Sequence, residues 1–226
     1  MKIKVLSSGS RDGNCTLVTD DGLNILLDVG INFKTLQKKL DFAMPEFALV
    51  THEHSDHANL AAIKKLLERG TQVIMTRGTK NALRLDDRHN LIVVNQDTGG
   101  NLRVYNTIHD AAEPAAFAIE LNDEKIYYIT DTADIRFPII GATRLIVEAN
   151  HSVDLLATSD IDVWRKERVS RTHLSIEKLM ATLKATDLSK CKEIHLIHIS
   201  GTNGDGAAFK TMLKPIVGDI PILVEV

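Results

Sequence analysis

The sequence predicts an α+β protein in which layered β-sheets are faced by helices, and three observations support this. Its 226 residues are 44% hydrophobic and 25% charged, which excludes disordered, collagen-like and low-complexity chains. Both halves alternate short apolar runs with turn signals, and helical patterns lie between and after these runs. Since no linker, composition break or internal repeat is visible, one domain is predicted over residues 1–226.

Strands and one helix are predicted at the start of the chain. Apolar runs bounded by polar turns predict the strands Ile3–Leu6, Thr16–Thr19 and Asn24–Asp28. Asp21-Gly22, between the last two runs, is a dipeptide typical of a tight antiparallel hairpin. Asn32 is a helix N-cap residue, so a short helix is predicted at Phe33–Leu40.

The rest of the first half alternates strands with helices. Leucine and isoleucine recur at helical spacing over Leu60–Glu68, and Gly70 ends this predicted helix. A second short helix is predicted around Thr79–Leu85. The strands predicted here are rich in apolar residues: Phe47–Thr51, Val73–Met75, Leu91–Val94 and Leu102–Ile108.

The second half begins with another predicted hairpin. Ala116–Leu121 and Lys125–Thr130 flank the polar turn Asn122–Glu124, a pattern that favours two antiparallel strands. Helices are predicted at Ser175–Ala185, where apolar residues share one face, and at Ala207–Leu213. The remaining predicted strands are Leu145–Glu148, Glu193–Ile199 and Ile220–Val226.

Charge and cysteine content exclude further classes of protein. Thirty acidic residues against 27 Lys and Arg give a net charge of -3, so nucleic-acid binding must rest on a local basic patch. Two cysteines cannot make a disulfide framework and indicate a reducing compartment. The N-terminus resembles no signal peptide, and no apolar run approaches the roughly 18 residues of a membrane span. A soluble, cytoplasmic protein without a membrane partner is predicted.

Thr51–His57 is the most informative segment, because it places three imidazoles and a carboxylate at the end of an apolar strand. In extended geometry His52 and His54 point the same way, and Asp56 and His57 then turn toward a helix. Two neighbouring ligand pairs suit two metal ions that share one loop. The alternative is a solvated turn that happens to contain histidines.

A binuclear site needs further ligands at other strand ends. The candidates are His109, Asp131 and either His195 or His198. Residues three apart on a strand face opposite ways, so only one of the last two can enter the site. Gly9–Asn14 is a turn-rich loop that either covers the site or simply connects two strands.

The His-x-His-x-Asp-His pattern of residues 52–57 resembles the signature of the metallo-β-lactamase superfamily, and the resemblance extends over nearly the whole chain. Several segments look like the YycJ/WalJ branch, which groups with phosphodiesterases and nucleases. They are Ser7–Ser10, Gly13–Cys15, Thr51–His57, His109–Pro114, Thr130–Thr132, Glu148–His151, His173–Ser175 and His198–Ser200. The resemblance implies an αβ/βα sandwich, with two mixed β-sheets face to face and helices outside.

The resemblance also implies a set of metal ligands. One ion would take His52, His54 and His109, the other would take Asp56, His57 and His198, and Asp131 would bridge them. His198 is preferred over His195 because Ser200 after it matches the family's motif. The histidine-rich set implies two divalent metal ions, with Zn²⁺ as the first choice and Mn²⁺ as the alternative.

Glu148 and His173 resemble the proton-handling pair of the superfamily's transfer-RNA-processing nucleases, and with Asp56 they form the predicted catalytic set. His173 would assist the leaving alkoxide while Glu148 fixes its tautomer. The alternative is a buried structural acid and a histidine beside a helix N-cap. Thr172 departs from the branch, which usually has Gly before this histidine.

Trp164–Arg171 is the densest basic stretch in the chain and leads into His173. Such a run is either a solvated face or a grip on a phosphate diester. Trp164 is either a surface on which a base stacks or a residue of the core or an interface.

The resemblance implies a phosphodiesterase, and the first choice is a nuclease acting on DNA or RNA. Only 22 positions separate His109 from Asp131, which leaves no room for the RNA-gripping arm of the transfer-RNA processors. The alternatives are a cyclic-nucleotide phosphodiesterase similar to the anti-Pycsar enzymes and a thioester hydrolase of the glyoxalase II type. The expected partner is therefore nucleic acid or a cyclic nucleotide, and a homodimer is left open.

Overall fold

The computed structural model describes residues 1–95 and 100–225, which form two compact units. The described part of the first unit comprises residues 1–95 and 111–115. That of the second comprises residues 100–110 and 116–225. Among the described helices, none has the length and apolar character needed to cross a bilayer.

The first unit is built on a mixed sheet whose strands follow chain order. The strands are β1 (Lys2–Ser7), β2 (Cys15–Asp20), β3 (Leu23–Leu27), β4 (Phe47–Leu49), β5 (Gln72–Thr76) and β6 (Leu91–Val94). The strands β1, β2 and β3 pair antiparallel, and the pairs from β3 to β6 are parallel. Asp21 and Gly22 have φ of 46° and 85°, the left-handed geometry that a two-residue hairpin turn requires, so the predicted hairpin is confirmed.

Side-chain caps begin the helices of the first unit, namely α1 (Phe33–Lys39), α2 (Leu60–Glu68) and α3 (Arg77–Ala82). Asn32 Oδ1 accepts a hydrogen bond from Thr35 N, as predicted, and Asn59 does the same for Ala62 N at the start of α2. The apolar face of α2, which includes Ile63, packs into the core of this unit.

The second unit contains another mixed sheet, in the order β12-β11-β10-β9-β8-β7. Its strands are β7 (Leu102–Asn106), β8 (Ala115–Leu121), β9 (Glu124–Ile129), β10 (Arg144–Glu148), β11 (Glu193–Ile197) and β12 (Ile222–Val224). The strands β9 to β12 are parallel, and β8 joins β9 as the predicted antiparallel hairpin. The final strand is shorter than the predicted Ile220–Val226, and Val226 lies outside the described residues.

The helices of the second unit are α4 (Val153–Thr158), α5 (Val163–Thr172), α6 (Ile176–Lys184) and α7 (Gly206–Val217). The predictions of α6 and α7 are confirmed, although α7 extends past the predicted Leu213. The helices α4 and α5 were not predicted from the sequence. In α5 only Thr172 is buried, so the helix lacks the periodic apolar face on which prediction depends.

Each unit has its own apolar core. In the first, Leu26 and Met75 from the sheet pack with Leu66 of α2. In the second, Tyr127 and Leu145 pack with helical residues such as Leu179 and Phe209. Mixed sheets combined with helices confirm the predicted α+β class. The single domain over residues 1–226 stays a prediction.

Candidate metal-binding and catalytic groups

Most of the predicted site residues follow the ends of strands, on loops rather than in the ladders, whereas Glu148 ends β10 and His173 follows a helix. The predicted strands to Thr51, Ile108 and Ile199 were each two residues too long, since β4 ends at Leu49, β7 at Asn106 and β11 at Ile197. In each case the chain has left the sheet before it reaches the predicted ligand, which is His52, His109 or His198. The loops, rather than strand alternation, therefore orient the site side chains.

In the first unit, the loop after β4 brings the predicted histidines together. His52 Nε2 lies 3.1 Å from His54 Nδ1, and the rings of His52 and His57 are 4.3 Å apart. The expectation that His52 and His54 are neighbours is confirmed, but its reason was wrong because these residues are not in extended strand geometry. Asp56 Oδ2 lies 3.5 Å from His57 Nε2.

Asp28 is a candidate site residue that was not predicted from the sequence. Its carboxylate is fully buried, accepts hydrogen bonds from Thr51 N and Oγ1 at 2.8 and 2.9 Å, and contacts His57 Nδ1 at 2.7 Å. A carboxylate on one ring nitrogen directs the other toward a metal, as in many metalloenzymes. The available signal was an acid directly after an apolar strand, the pattern that drew attention to Asp131.

The loop Gly9–Asn14 contacts the histidine loop, so it is more than a connection between strands. Asn14 Nδ2 lies 2.9 Å from His57 Nε2, and Asn14 N donates to Asp56 O at 2.6 Å. Gly30 makes this close approach possible, because a Cβ on Gly30 would lie 1.8 Å from Asp56 O. The backbone thus packs tightly beneath the predicted ligands.

In the second unit, Asp131 lies between two of the predicted ligands. Its Oδ2 is 3.3 Å from His109 Nε2, and its Oδ1 is 3.4 Å from His198 Nδ1. One atom each from Asp131, Glu148, His173 and His198 lie within 4.8 Å of one another, a spacing that fits ligation of a cation. Asp131 and His198 both have positive φ, of 46° and 52°, at the turns that follow β9 and β11.

Glu148, at the end of β10, is a fully buried carboxylate with several donors around it. Thr132 N and Leu174 N donate to its Oε2 at 3.1 and 3.0 Å, and His173 Nδ1 lies 2.7 Å from its Oε1. Burial raises the pKa of Glu148, but the His173 charge and the hydrogen bonds from His173 and His198 outweigh it and bring the pKa to about 2. Glu148 is therefore an anion that fixes the ring of His173.

His173 is the C-cap residue of α5, and the end of this helix also orients His109. Thr172 O lies 2.8 Å from His109 Nδ1, so the backbone carbonyl directs His109 Nε2 toward Asp131. Thr172 replaces the glycine usual in the branch, and its carbonyl makes this contact. Burial lowers the pKa of His109 although the Asp131 charge raises it, which favours the neutral imidazole that binds metals.

The structure separates the two late histidines. His195 lies within β11 and contacts Glu225 Oε1 at 2.9 Å and Glu193 Oε1 at 3.3 Å. His198 lies beyond the end of β11, beside Asp131 and Glu148. The argument from strand alternation does not apply, because the strand ends between them. The assignment of His198 as a ligand remains a prediction.

The buried groups of both units fit divalent cations by their chemistry. Imidazole nitrogens and carboxylate oxygens are the ligands of catalytic zinc and of related ions. Asp28 and the Thr172 carbonyl each fix a histidine by its Nδ1, as expected of the groups that orient metal ligands.

Comparison with known proteins agrees with this chemistry. The family described as the β-lactamase superfamily domain matches residues 23–199. Exodeoxyribonuclease YycJ of Bacillus anthracis is 29% identical over 224 residues, which cover 90% of this chain and 84% of the relative. Exodeoxyribonuclease WalJ of Streptococcus pneumoniae is 27% identical over 225 residues, which cover 89% and 82%.

Solved structures share the fold at lower identity. The metallo-β-lactamase fold protein YhfI of Bacillus subtilis has a TM-score of 0.69 and 17% identity, and the match covers 98% of this chain and 95% of that one. A diphosphatase of the PhnP family has a TM-score of 0.67 and 17% identity, with coverage of 98% and 93%. These matches confirm the resemblance noted in the sequence. The chain therefore belongs to the β-lactamase superfamily, as a metal-dependent hydrolase.

Proposed function

We propose that this protein hydrolyses phosphodiester bonds in nucleic acid, and that DNA is its preferred substrate. The contact of 2.7 Å between His173 Nδ1 and Glu148 Oε1, beside Asp131 and His198, carries the proposal. A phosphodiester needs a proton donor for its leaving alkoxide, and a carboxylate-supported imidazole is such a donor. The curated relatives named exodeoxyribonucleases support DNA as the substrate.

The proposed cofactor is a pair of divalent metal ions, with Zn²⁺ preferred and Mn²⁺ as the alternative. The ligands are the side chains that the motif predicts: His52, His54, Asp56, His57, His109, Asp131 and His198. Lewis-acid activation of water and neutralisation of phosphate charge are the chemistry that such ions supply when bound. Such ions bind histidine in its neutral form and carboxylates in their ionised form.

The proposed acid is His173, and Glu148 positions it. Because Glu148 occupies Nδ1, Nε2 is the nitrogen from which His173 gives its proton to the leaving oxygen. The Glu148 carboxylate is also held by the backbone donors Thr132 N and Leu174 N, so it stays in place while His173 gives up its proton. Asp56 acts with the metal ligands, near His57.

Side-by-side assays of metal-loaded protein test the proposal. The substrates are single-stranded DNA, duplex DNA, RNA, cyclic nucleotides, bis(p-nitrophenyl) phosphate and a thioester. We expect hydrolysis of DNA and of the small diester, with loss of both in Asp131→Asn. His195→Ala is the matched control and should retain activity, since its side chain contacts Glu225 and Glu193 instead.

Other outcomes of these assays would contradict the proposal. Cleavage of cyclic nucleotides without action on any polymer would assign a small-molecule phosphodiesterase. Turnover of the thioester alone would make Glu148 and His173 structural.

Cytoplasmic action fits the two buried, unlinked thiols of Cys15 and Cys191, which suit a reducing compartment.

A further inference from the structure

The helix α5 is exposed on nearly its whole surface, and its aromatic residue is the most exposed large apolar side chain among the described residues. Trp164 is 81% exposed, so the alternative that it belongs to the core is wrong. An exposed indole offers a large, rigid face on which a nucleic-acid base can stack. It is also the chain's single tryptophan.

Trp164 belongs to a stripe of residues on one side of α5. Trp164, Arg168 and Arg171 stand at positions i, i+4 and i+7, which places them within about 60° of one another around the helix axis. All three side chains are exposed. Arg168 is oriented by Asp110, whose carboxylate accepts hydrogen bonds from Arg168 Nε at 2.7 Å and Nη2 at 3.3 Å.

The stripe runs directly to the proposed catalytic groups. At its end α5 supplies the Thr172 carbonyl that contacts His109 and then His173 itself. Asp110, the partner of Arg168, also lies 3.3 Å from His109 Nε2. With a rise of 1.5 Å per residue, Trp164 stands about 12 Å along the axis from Thr172. A strand of several nucleotides spans such a distance more readily than a mononucleotide does.

The charge of the helix complements a polyanion. Between Val163 and Thr172 the helix carries Arg165, Lys166, Arg168 and Arg171 against Glu167 alone, within a chain of net charge -3. This is the local basic patch that nucleic-acid binding by an acidic protein requires. Lys166 has a structural contact, since its Nζ donates to Ala157 O of α4 at 2.7 Å.

We propose that this stripe binds an unpaired strand of the DNA substrate, with a base stacked on Trp164 and phosphates on Arg168 and Arg171. The inference rests on the proposed function and extends it to the form of the substrate. A stacked base must be unpaired, because only then is its face open to an indole. Arginine in a fork geometry is well suited to phosphate oxygens.

Tryptophan fluorescence gives a readout that is independent of catalysis. Metal-loaded protein is titrated with a ten-nucleotide thymidine strand whose phosphorothioate backbone resists hydrolysis, and with thymidine monophosphate at equal nucleotide concentration. We expect the strand to quench Trp164 emission and the monophosphate to leave it unchanged. Phe42→Ala removes another exposed aromatic side chain, on the first unit, and should bind the strand as the unaltered protein does.

Variants then separate stacking from charge, with affinity followed by the anisotropy of a labelled strand. Trp164→Ala should weaken binding about 5- to 160-fold, and Trp164→Phe should restore most of it. The ratio of kcat/KM on a ten-nucleotide strand to that on bis(p-nitrophenyl) phosphate should fall by the same factor in Trp164→Ala. Arg171→Ala should reduce the slope of log affinity against log salt by about 0.7, whereas Lys210→Ala on α7 should not.

The outcomes distinguish this inference from the proposed function. DNA hydrolysis with normal binding by Trp164→Ala and no quenching would overturn the inference alone. Quenching without hydrolysis of any phosphodiester would overturn the proposed function and leave the stripe as a binding surface. If Trp164 emission instead changes with protein concentration, and Trp164→Ala converts a dimer to a monomer, the surface is an interface between copies and the inference is wrong.

Discussion

Two predicted metal-binding histidines are each oriented through Nδ1 by a group outside the predicted ligand set. Asp28 contacts His57 in the first unit, and the Thr172 carbonyl contacts His109 in the second. Both contacts fix which ring nitrogen is directed to the proposed ion. The pair Glu148–His173 has the same geometry, with an acceptor on Nδ1, and this geometry fits the proposed proton transfer.

At this residue scale, replacement of His173 tests its role as an acid. His173→Ala should leave the metal content and KM unchanged and lower turnover by about 10²- to 10⁴-fold on alkoxide leaving groups. The loss should shrink for p-nitrophenyl esters, which need little protonation. Glu148→Gln should behave alike, and the double variant should be little worse than either single one. Equal losses on good and poor leaving groups would assign His173 to phosphate binding instead.

A second residue-scale prediction concerns Asp28. Asp28→Ala frees His57 Nδ1 and removes the acceptor for Thr51, so metal affinity should fall by about 10- to 100-fold. Isothermal titration of metal-free protein with Zn²⁺ measures this. Asp41→Ala, in an exposed turn of the same unit, is the control. Unchanged zinc affinity in Asp28→Ala would show that the carboxylate only supports the fold.

At the scale of elements, the local patterns of this sequence predicted most of the structure. The helix α2 and the Asp21-Gly22 hairpin were predicted because their signals lie within a few residues of one another. The helix α5 was not, since it is polar on nearly every side and its position depends on contacts made elsewhere. The role of Asp28 was missed for a similar reason, because its partners lie more than twenty positions away.

Two loops of the first unit cross closely at Gly30, so a larger residue there should strongly destabilise the fold. Gly30→Ala places a Cβ 1.8 Å from Asp56 O and 2.6 Å from Asn14 N, and both are backbone atoms that cannot rotate away. The free energy of unfolding should fall by roughly 3 kcal/mol. Gly201→Ala is the control, since a Cβ there meets nothing within 4 Å. Equal urea midpoints for the two variants would contradict this account of the crossing.

An ion-pair network lies where strands of the second sheet begin, and it predicts that the fold loses stability in acid. Glu124 contacts Lys192 Nζ at 2.7 Å and Arg144 Nη2 at 3.4 Å. Burial raises the pKa of Glu124, but these partners outweigh it and lower the pKa from 4.5 to about 2. Since the folded-state pKa is the lower one, this stabilisation is present above about pH 4.5 and is lost as the pH falls toward 2.

Glu124→Gln should therefore be less stable than the unaltered protein at pH 6, and the difference should shrink steadily below pH 4.5. Urea unfolding of both proteins across pH 2–6 measures it. Asp219→Asn replaces a fully exposed carboxylate and should leave the profile unchanged. A difference that stays constant down to pH 2 would show that Glu124 stabilises the fold by a route other than its charge.

At the scale of the whole molecule, the superfamily motif predicted metal-dependent hydrolysis better than any property of composition did. A net charge of -3 argues against a general affinity for nucleic acid, yet α5, which ends at His173, carries four basic residues against one acidic residue. Composition averages over the chain and cannot reveal such a concentration. For the proposed DNA hydrolysis, this local charge would attract the substrate without a basic chain overall.

The rate of single-stranded DNA hydrolysis before chelation, after chelation and after restoring Zn²⁺ or Mn²⁺ tests the central claim most directly. The account predicts loss on chelation and recovery as close to two ions per chain are bound again. It predicts no recovery in Asp131→Asn and normal recovery in His195→Ala. Hydrolysis that survives chelation, or full activity with at most one bound ion, would contradict a two-metal phosphodiesterase.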